Sequence, residues 1–303
     1  MTPSDLAWVG ADGALGSVLA PALGARPVNV RCPKFAENEP LAELQNARTV
    51  VNGAGPRVHP GLSPSDYLRE HVGTALRVAR SMGEGSHLVL ISSAAVFGSR
   101  RGLVTEDTLP DPDSFPVPEY AWAKLAAEHA TLAACAGRGV ALTILRPSIV
   151  YGPGAGGALI ALRDLARRGL RVVLQPESLH EHFLHIELLR KVLENVVVGQ
   201  RPSTVHAYTL ADPFVLRAAD MNEAFRAASR FAVPLPIPVG AVGQSLGHWR
   251  SKLGRAAPMT AVVAAMFALD NVYEWRNWAE RLTVDLTPFG RSIFDEFMGN
   301  EFG

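Results

Sequence analysis

The stretch Leu6-Ala-Trp-Val9-Gly10-Ala-Asp-Gly13-Ala-Leu-Gly16 decides the predicted fold, because a short apolar strand runs into a glycine-rich turn and then into a helix. Glycines at this point allow a tight turn and let backbone N–H groups approach a pyrophosphate at the start of the helix. The spacing is GxxGxxG rather than GxGxxG, so an ordinary glycine-rich connection remains an alternative for this turn.

The rest of the first half repeats the alternation of short apolar strands and helices. This alternation predicts βαβ units, a parallel sheet and a ligand beyond the carboxyl ends of the strands. The expected fold class is therefore α/β, a Rossmann-like doubly wound parallel sheet with a smaller C-terminal substrate lobe. The predicted strands are Leu6–Val9, Val28–Val30, Thr49–Asn52, Leu88–Ser92 and Val140–Leu145, and the predicted helices are Leu15–Leu23, Tyr67–Met82 and Tyr120–Cys135.

The character of the sequence changes after Gly154. We expect a dinucleotide-binding domain over residues 1–154 and a mainly substrate-binding lobe over residues 155–303, from which some elements return to the sheet. Val233–Val239 has three alternating prolines and cannot be a central strand. The apolar run Met259–Leu269 is too short to span a bilayer, which takes ~20 residues, and is predicted to be a buried or lid helix.

Composition narrows the class of protein. The 303 residues include 29 basic and 29 acidic side chains, so no overall field favours nucleic acid or an anionic membrane as a partner. Cys32 and Cys135 are the two cysteines, which excludes a disulfide framework and favours a reducing compartment such as the cytoplasm. The opening MTPSDLAWVG has no basic segment followed by a long apolar run, so no signal peptide is expected.

The segment Tyr120-Ala-Trp-Ala-Lys124 carries the strongest chemical signal. A spacing of four places the phenol and the ammonium on the same side of a helix. A nearby cation favours the phenolate, so we expect Lys124 to lower the pKa of Tyr120 from its usual value of about 10. Together the two side chains form a plausible proton-transfer device for a carbonyl or an alcohol.

Three further segments follow predicted strands. Ser92 and Ser93 end one strand, where a hydroxyl either binds a substrate oxygen or caps the chain. Arg31 follows the second strand, where an acidic residue would bind a ribose; an arginine there either pairs with a 2′-phosphate, which favours NADP over NAD, or is solvated. Pro147 lies in the turn from Arg146 to Gly154 and could border a nicotinamide ring.

With these segments in this order, the chain resembles the extended short-chain dehydrogenase/reductase family, often called NAD-dependent epimerases/dehydratases. The resemblance covers residues 6–154 and continues more weakly through His182-Phe-Leu-His185-Ile-Glu187. It implies that Ser93, Tyr120 and Lys124 are the catalytic residues, with Lys124 also on the nicotinamide ribose. The cofactor-binding residues that it implies are Gly10, Gly13, Ala14, Leu15, Gly16, Ala54 and Pro147.

Departures from the family pattern qualify this resemblance. Phe97 stands where the family often has tyrosine, and His71 where asparagine is common near the cofactor, which questions any water relay. Ala94 and Ala95 replace the acidic pair of the 4,6-dehydratases, which argues against water elimination because elimination needs its own acid and base. Glu181 replaces an arginine that binds the diphosphate of sugar nucleotides, and a carboxylate would repel that anion.

Three histidines close together invite a metal interpretation. His180 and His182 would share a strand face, but His185 would lie opposite. A polar strand edge is therefore favoured, and no metal is expected.

The function predicted is an NAD(P)-dependent oxidoreductase acting on a ketone or secondary alcohol, with a fairly apolar small-molecule substrate. The alternatives are a nucleotide-sugar epimerase with tightly bound NAD, and a non-catalytic NAD(P) sensor, which the Tyr120–Lys124 pair disfavours. By analogy with the family, a homodimer is possible through the helices Tyr67–Met82 and Tyr120–Cys135.

Overall fold

The computed structural model describes residues 5–30, 40–59, 61–199, 205–228, 232–238, 266–267 and 269–302. In chain order the strands are β1 (Leu6–Val9), β2 (Arg26–Val28), β3 (Thr49–Asn52), β4 (His87–Ile91), β5 (Gly102–Val104), β6 (Ala141–Pro147), β7 (Ile149–Tyr151), β8 (Leu170–Gln175), β9 (His180–Glu181), β10 (Phe183–His185), β11 (His206–Leu210), β12 (Leu216–Arg217), β13 (Val233–Pro238) and β14 (Asn271–Tyr273). The α-helices are α1 (Gly16–Ala22), α2 (Pro64–Leu68), α3 (Thr74–Ser81), α4 (Pro118–Cys135), α5 (Ala158–Arg167), α6 (Ile186–Val198), α7 (Ala218–Ala228), α8 (Arg276–Leu282) and α9 (Arg291–Phe302).

The central sheet has six strands in the order β11-β6-β4-β3-β1-β2, and every pair in it is parallel. This confirms the predicted doubly wound parallel sheet. The chain passes from β1 to β2 on one side and then to β3 on the other, so the strand order reverses between β1 and β3. In sheets of this kind a ligand binds in the crevice beyond the carboxyl ends of the strands at such a reversal.

Both faces of the sheet are covered, which explains why its strands are mostly apolar. One face packs against α1, α6 and α8, with Trp8, Leu19 and Trp278 fully buried. The other face packs against α3 and α4, through Val78 and Ala127. The strands are therefore held between two helical layers.

Residues beyond Gly154 contribute both to this sheet and to a separate core. β11 pairs with β6 at the edge of the central sheet. A second cluster of buried side chains lies among β7, β8, β10, α5, α7 and α9, and its aromatic members are Tyr151, Phe183, Phe225, Phe267, Phe294 and Phe297. Most of the aromatic residues in the C-terminal third are thus packing residues.

The proline-rich segment forms a strand outside the central sheet, in agreement with the prediction that it cannot be a central strand. Among the described strands β13 pairs with β8 alone, in parallel, in a sheet of two strands. Because a β-strand exposes alternate residues to the same side, prolines at every second position leave the N–H groups between them for the partner strand.

Candidate functional site

The residues predicted from the sequence lie along the carboxyl ends of the strands of the central sheet. The glycine turn follows β1, Ala54 follows β3, Ser93 follows β4 and Pro147 ends β6. Because these strands are parallel, their carboxyl ends lie side by side. The site therefore lies where the strand order reverses and extends across the middle of the sheet.

The glycine turn is a close-packed cradle. Gly10 has φ +82°, and a Cβ there would lie 2.8 Å from the Cα of Ala54. A Cβ on Gly16 would lie 2.3 Å from the carbonyl oxygen of Gly10, which itself accepts a hydrogen bond from the Gly13 N–H at 3.1 Å. Glycine is thus required at two positions, for conformation and for room. This geometry fits a cofactor whose pyrophosphate approaches the backbone closely.

Helix α4 brings the phenol and the ammonium together. The helix has Pro118 at its start and contains no glycine or later proline, so its register is unbroken from Tyr120 to Lys124. The Nζ atom of Lys124 lies 5.9 Å from the centre of the Tyr120 ring. The Ser93 side chain accepts the N–H of Ala95 at 3.1 Å and lies close enough to the Tyr120 hydroxyl to act on its pKa. Ser93, Tyr120 and Lys124 therefore form one cluster.

The expectation that Lys124 lowers the pKa of Tyr120 is wrong for this structure. Loss of solvent raises the pKa of Tyr120 to about 12, and the lowering effect of the nearby Ser93 side chain only partly opposes this. Burial also lowers the pKa of Lys124 to about 8, and its Nζ donates to the carbonyl oxygen of Ile91 at 3.0 Å. Desolvation disfavours both charged forms, and it is the largest cause of both shifts.

His71 lies against this cluster, on the π-helical segment Arg69–Gly73 between α2 and α3. Its side chain is only 3% exposed, and its ring stands edge-on to Tyr120 with 5.6 Å between ring centres. Burial, with Lys124 nearby, lowers the pKa of His71 to about 2, so the ring is neutral. One ring nitrogen bonds the Pro56 carbonyl, while Nε2 finds no hydrogen-bond partner among the described residues. The site thus contains a neutral imidazole acceptor at the position where the family commonly has an asparagine.

Two residues that the sequence reasoning gave no role, Glu128 and Arg146, complete the cluster. Glu128, one turn after Lys124 on α4, accepts hydrogen bonds from Arg146 at 3.0 and 2.6 Å and from the hydroxyl of Ser92. The guanidinium of Arg146 also lies 5.2 Å from the centre of the Phe97 ring. The spacing of four from Tyr120 to Lys124 and again to Glu128 was a signal that could have pointed to this carboxylate.

Glu181 differs from its expected state. It is 4% exposed and its Oε1 has no partner among the described residues. Burial, with Asp270 nearby, raises the pKa of Glu181 well above the usual value, which favours the neutral acid. The expectation of a repelling anion at this position is therefore wrong.

The three histidines each have a structural contact. His180 pairs with Asp270, His182 bridges the Asp212 carbonyl and the Tyr273 N–H, and His185 accepts the Glu187 N–H at the start of α6. Over the described part of the chain, no group of three His, Cys, Asp or Glu side chains could hold a metal ion.

Two predictions fall on residues whose structure is not described. Arg31 lies in the gap between residues 30 and 40, so its contact with a 2′-phosphate stays a prediction. Most of Met259–Leu269 also lies outside the described residues. Within the described ranges, no helix is both long and apolar enough to cross a membrane.

Comparison with known proteins identifies relatives of this arrangement. The model of the NAD dependent epimerase/dehydratase family matches residues 9–177, more than half of the chain. An uncharacterized protein of Sinorhizobium fredii, y4nG, is 37% identical over 102 residues, and the match covers 33% of this chain and only 25% of that protein's length.

Solved structures show the same fold at low sequence identity. MoeE5 in complex with UDP-glucuronic acid and NAD has a TM-score of 0.71 at 19% identity, covering 98% of this chain and 99% of that one. The human epimerase family protein SDR39U1 with NADPH has a TM-score of 0.72 at 17% identity, covering 97% and 99%. A dTDP-4-dehydrorhamnose reductase from Clostridium acetobutylicum has a TM-score of 0.67 at 15% identity, covering 97% and 98%. The likeness extends over nearly the whole length of these proteins.

Proposed function

Because the chain belongs to the NAD-dependent epimerase/dehydratase family, we propose that it is an NAD(P)-dependent oxidoreductase acting on a ketone or secondary alcohol. The observation that carries this proposal is the cluster of Ser93, Tyr120 and Lys124 beside the glycine cradle. A bound nicotinamide cofactor supplies or accepts the hydride at such a site. The protein supplies the proton, orients the substrate and the cofactor, and provides the charged groups around them.

The protonation state of Tyr120 favours one direction of reaction. With a pKa of about 12 the side chain is a neutral phenol near pH 7, so it can donate its proton to a ketone oxygen. The hydroxyl of Ser93 lies near Tyr120 and would hold the same substrate oxygen. Oxidation of an alcohol would need the phenolate, which a nearby positive charge would favour. Ketone reduction is therefore the proposed direction at neutral pH.

The cofactor would be held along the strand ends. The cradle Gly10–Gly16 and Ala54 would receive the pyrophosphate and the adenosine half, Lys124 the nicotinamide ribose, and Pro147 the nicotinamide edge. NADP is proposed over NAD because Arg31 stands where NAD-binding sites have an acidic residue. Structural neighbours contain either NAD or NADPH, so a direct comparison of the two affinities is needed.

A nucleotide-sugar epimerase is the second candidate. Proteins of this fold have been solved with UDP-glucuronic acid and NAD. The neutral state of Glu181 also removes the charge repulsion that argued against a sugar diphosphate. The same Tyr120 would then take the proton of the substrate hydroxyl and later return it, while hydride leaves and returns to one carbon by way of the tightly bound NAD.

One experiment separates the two candidates. The purified protein is mixed with NADPH or NADH and a panel of apolar ketones, and cofactor consumption is followed by absorbance at 340 nm. In parallel, UDP- and dTDP-sugars are incubated without added cofactor and the sugars analysed for inversion. Cofactor consumption with a ketone supports the oxidoreductase, whereas inversion without net cofactor turnover refutes it.

A homodimer in a reducing compartment such as the cytoplasm completes the proposal. Leu68 on α2 and Trp122 and Leu132 on α4 are exposed apolar side chains on the two helices expected to pair with a second copy. Light scattering tests this: a monomer at micromolar concentration would refute the dimer.

A further inference from the structure

Three consecutive residues at the end of β4 hold three residues spaced four apart on α4. The Ile91 carbonyl accepts from Lys124 at 3.0 Å, the Ser92 hydroxyl donates to Glu128, and the Ser93 side chain lies close enough to the Tyr120 hydroxyl to act on its pKa. Each rung of this ladder joins the strand to one turn of the helix. The acidic member of the three helix residues is Glu128.

Glu128 also joins a third element to this ladder. It is 2% exposed, and both of its oxygens accept hydrogen bonds from the guanidinium of Arg146 on β6. The Ser92 N–H donates to the Leu145 carbonyl at 2.7 Å, so β4 and β6 are also bonded directly beside the carboxylate. A bidentate arginine–carboxylate pair has a fixed geometry, and here it fixes α4 relative to both strands.

The carboxylate of Glu128 also acts on the protonation of Lys124. Glu128 favours the ammonium form of Lys124, against the burial that lowers the pKa of Lys124 to about 8. The other titratable groups that face Lys124 are Tyr120 on its own helix and His71 on the π-helical segment, and both are neutral near pH 7. Glu128 is itself paired with Arg146, at 2.6 Å.

We propose that Glu128 is a positioning residue that sets the place of Tyr120 and the charge of Lys124 through its contacts with Ser92 and Arg146. This inference rests on the proposed function for its consequence in catalysis, but not for its structural and electrostatic content. Removal of the carboxylate charge shifts Lys124 toward the neutral amine, and removal of its hydrogen bonds loosens Tyr120 from Ser93.

The test titrates Lys124 directly, without substrate or turnover. The chain has four lysines, Lys34, Lys124, Lys191 and Lys252, so protein labelled with ¹³C at the lysine Cε gives few NMR signals, and Lys124→Met assigns the one of interest. Glu128→Gln is expected to lower the pKa of Lys124 by roughly one unit, as loss of an adjacent opposite charge does. It should also weaken binding of NADPH at pH 7.5 at least tenfold, measured by cofactor fluorescence.

Controls separate charge from position. Glu301→Gln removes a carboxylate that also joins two elements through an arginine, Arg163, but lies far from Lys124 in the chain. It should change neither the pKa of Lys124 nor the affinity for NADPH. Arg146→Lys keeps both charges but loses the bidentate pairing, so it should weaken cofactor binding while the Lys124 signal stays within ~0.3 units of wild type. If Glu128→Gln fails to fold, Glu128→Asp replaces it and is expected to behave like Arg146→Lys.

The outcomes are distinct. A Lys124 pKa in Glu128→Gln within ~0.2 units of wild type overturns the electrostatic part. Wild-type cofactor affinity in Arg146→Lys, or in Glu128→Asp where that variant is used, overturns the positioning part. If the protein proves not to transfer hydride, the titration result is unaffected.

Discussion

Replacing Gly10 by alanine tests the cofactor cradle, because one added methyl group meets two separate obstacles. Gly10 has φ +82°, a conformation that costs an L-residue roughly 1–2 kcal/mol. The new Cβ would also lie 2.8 Å from the Cα and 2.9 Å from the N of Ala54. Both are backbone atoms, so the end of β3 must move, at a cost of about 1–3 kcal/mol. We therefore expect Gly10→Ala to lower the free energy of unfolding by roughly 2–5 kcal/mol.

Gly24→Ala is the matched control, because it carries the strain without the clash. Gly24 has φ +61° and no atom within 4 Å of an added Cβ. It should lose only the roughly 1–2 kcal/mol of backbone strain, measured by urea unfolding of both variants. Cofactor binding should separate them further: the Kd for NADPH should rise at least ~10-fold in Gly10→Ala and stay unchanged in Gly24→Ala. Equal unfolding energies and equal Kd values in the two variants would refute the cradle.

Two further predictions concern buried charges. Lys124→Met should raise the free energy of unfolding at pH 7 by on the order of 1–2 kcal/mol, because the cost of a buried ammonium exceeds that of its lost hydrogen bond to Ile91. A pKa lowered on folding costs stability below the folded value, so this gain should shrink as pH rises above about 8, and urea unfolding at pH 7 and pH 9.5 checks it. Asp212 has its pKa raised to about 7 by burial, so its contribution is complete below the unfolded value and is lost as pH rises toward 7. Asp212→Asn keeps an acceptor for the His185 N–H, and its stability relative to wild type should be greater at pH 8 than at pH 5 by on the order of 2–3 kcal/mol; an equal difference at both pH values would contradict the assignment.

The strands and the order of the motifs were readable in the sequence because burial on both faces makes each strand a short apolar run. Thr49–Asn52 has the predicted bounds, whereas the second strand lies two residues earlier than predicted, at Arg26–Val28. The π-helical segment Arg69–Gly73 was not foreseen, since Tyr67–Met82 was predicted as one continuous helix. That segment nevertheless places His71 against Tyr120.

Only part of the candidate site could be predicted from the sequence. Spacing alone places Tyr120 and Lys124 together, but the contact of Glu128 with Arg146 joins residues 18 apart on different elements, and no local pattern encodes it. The pKa of Tyr120 was predicted in the wrong direction because a sequence shows which charges are close in the chain but not how much solvent is removed. The same omission led to the wrong charge for Glu181.

The measurement that tests the central claim most directly is hydride transfer by Tyr120→Phe, which removes only the phenolic oxygen. Single-turnover reduction of an identified ketone by NADPH should slow by at least ~100-fold, because general acid catalysis contributes 10²–10⁴. The Kd for NADPH should stay within about twofold of wild type, since Tyr120 is assigned to the substrate oxygen and Lys124 to the cofactor. A variant that reduces the ketone at the wild-type rate would contradict the assignment of Tyr120 as the proton donor.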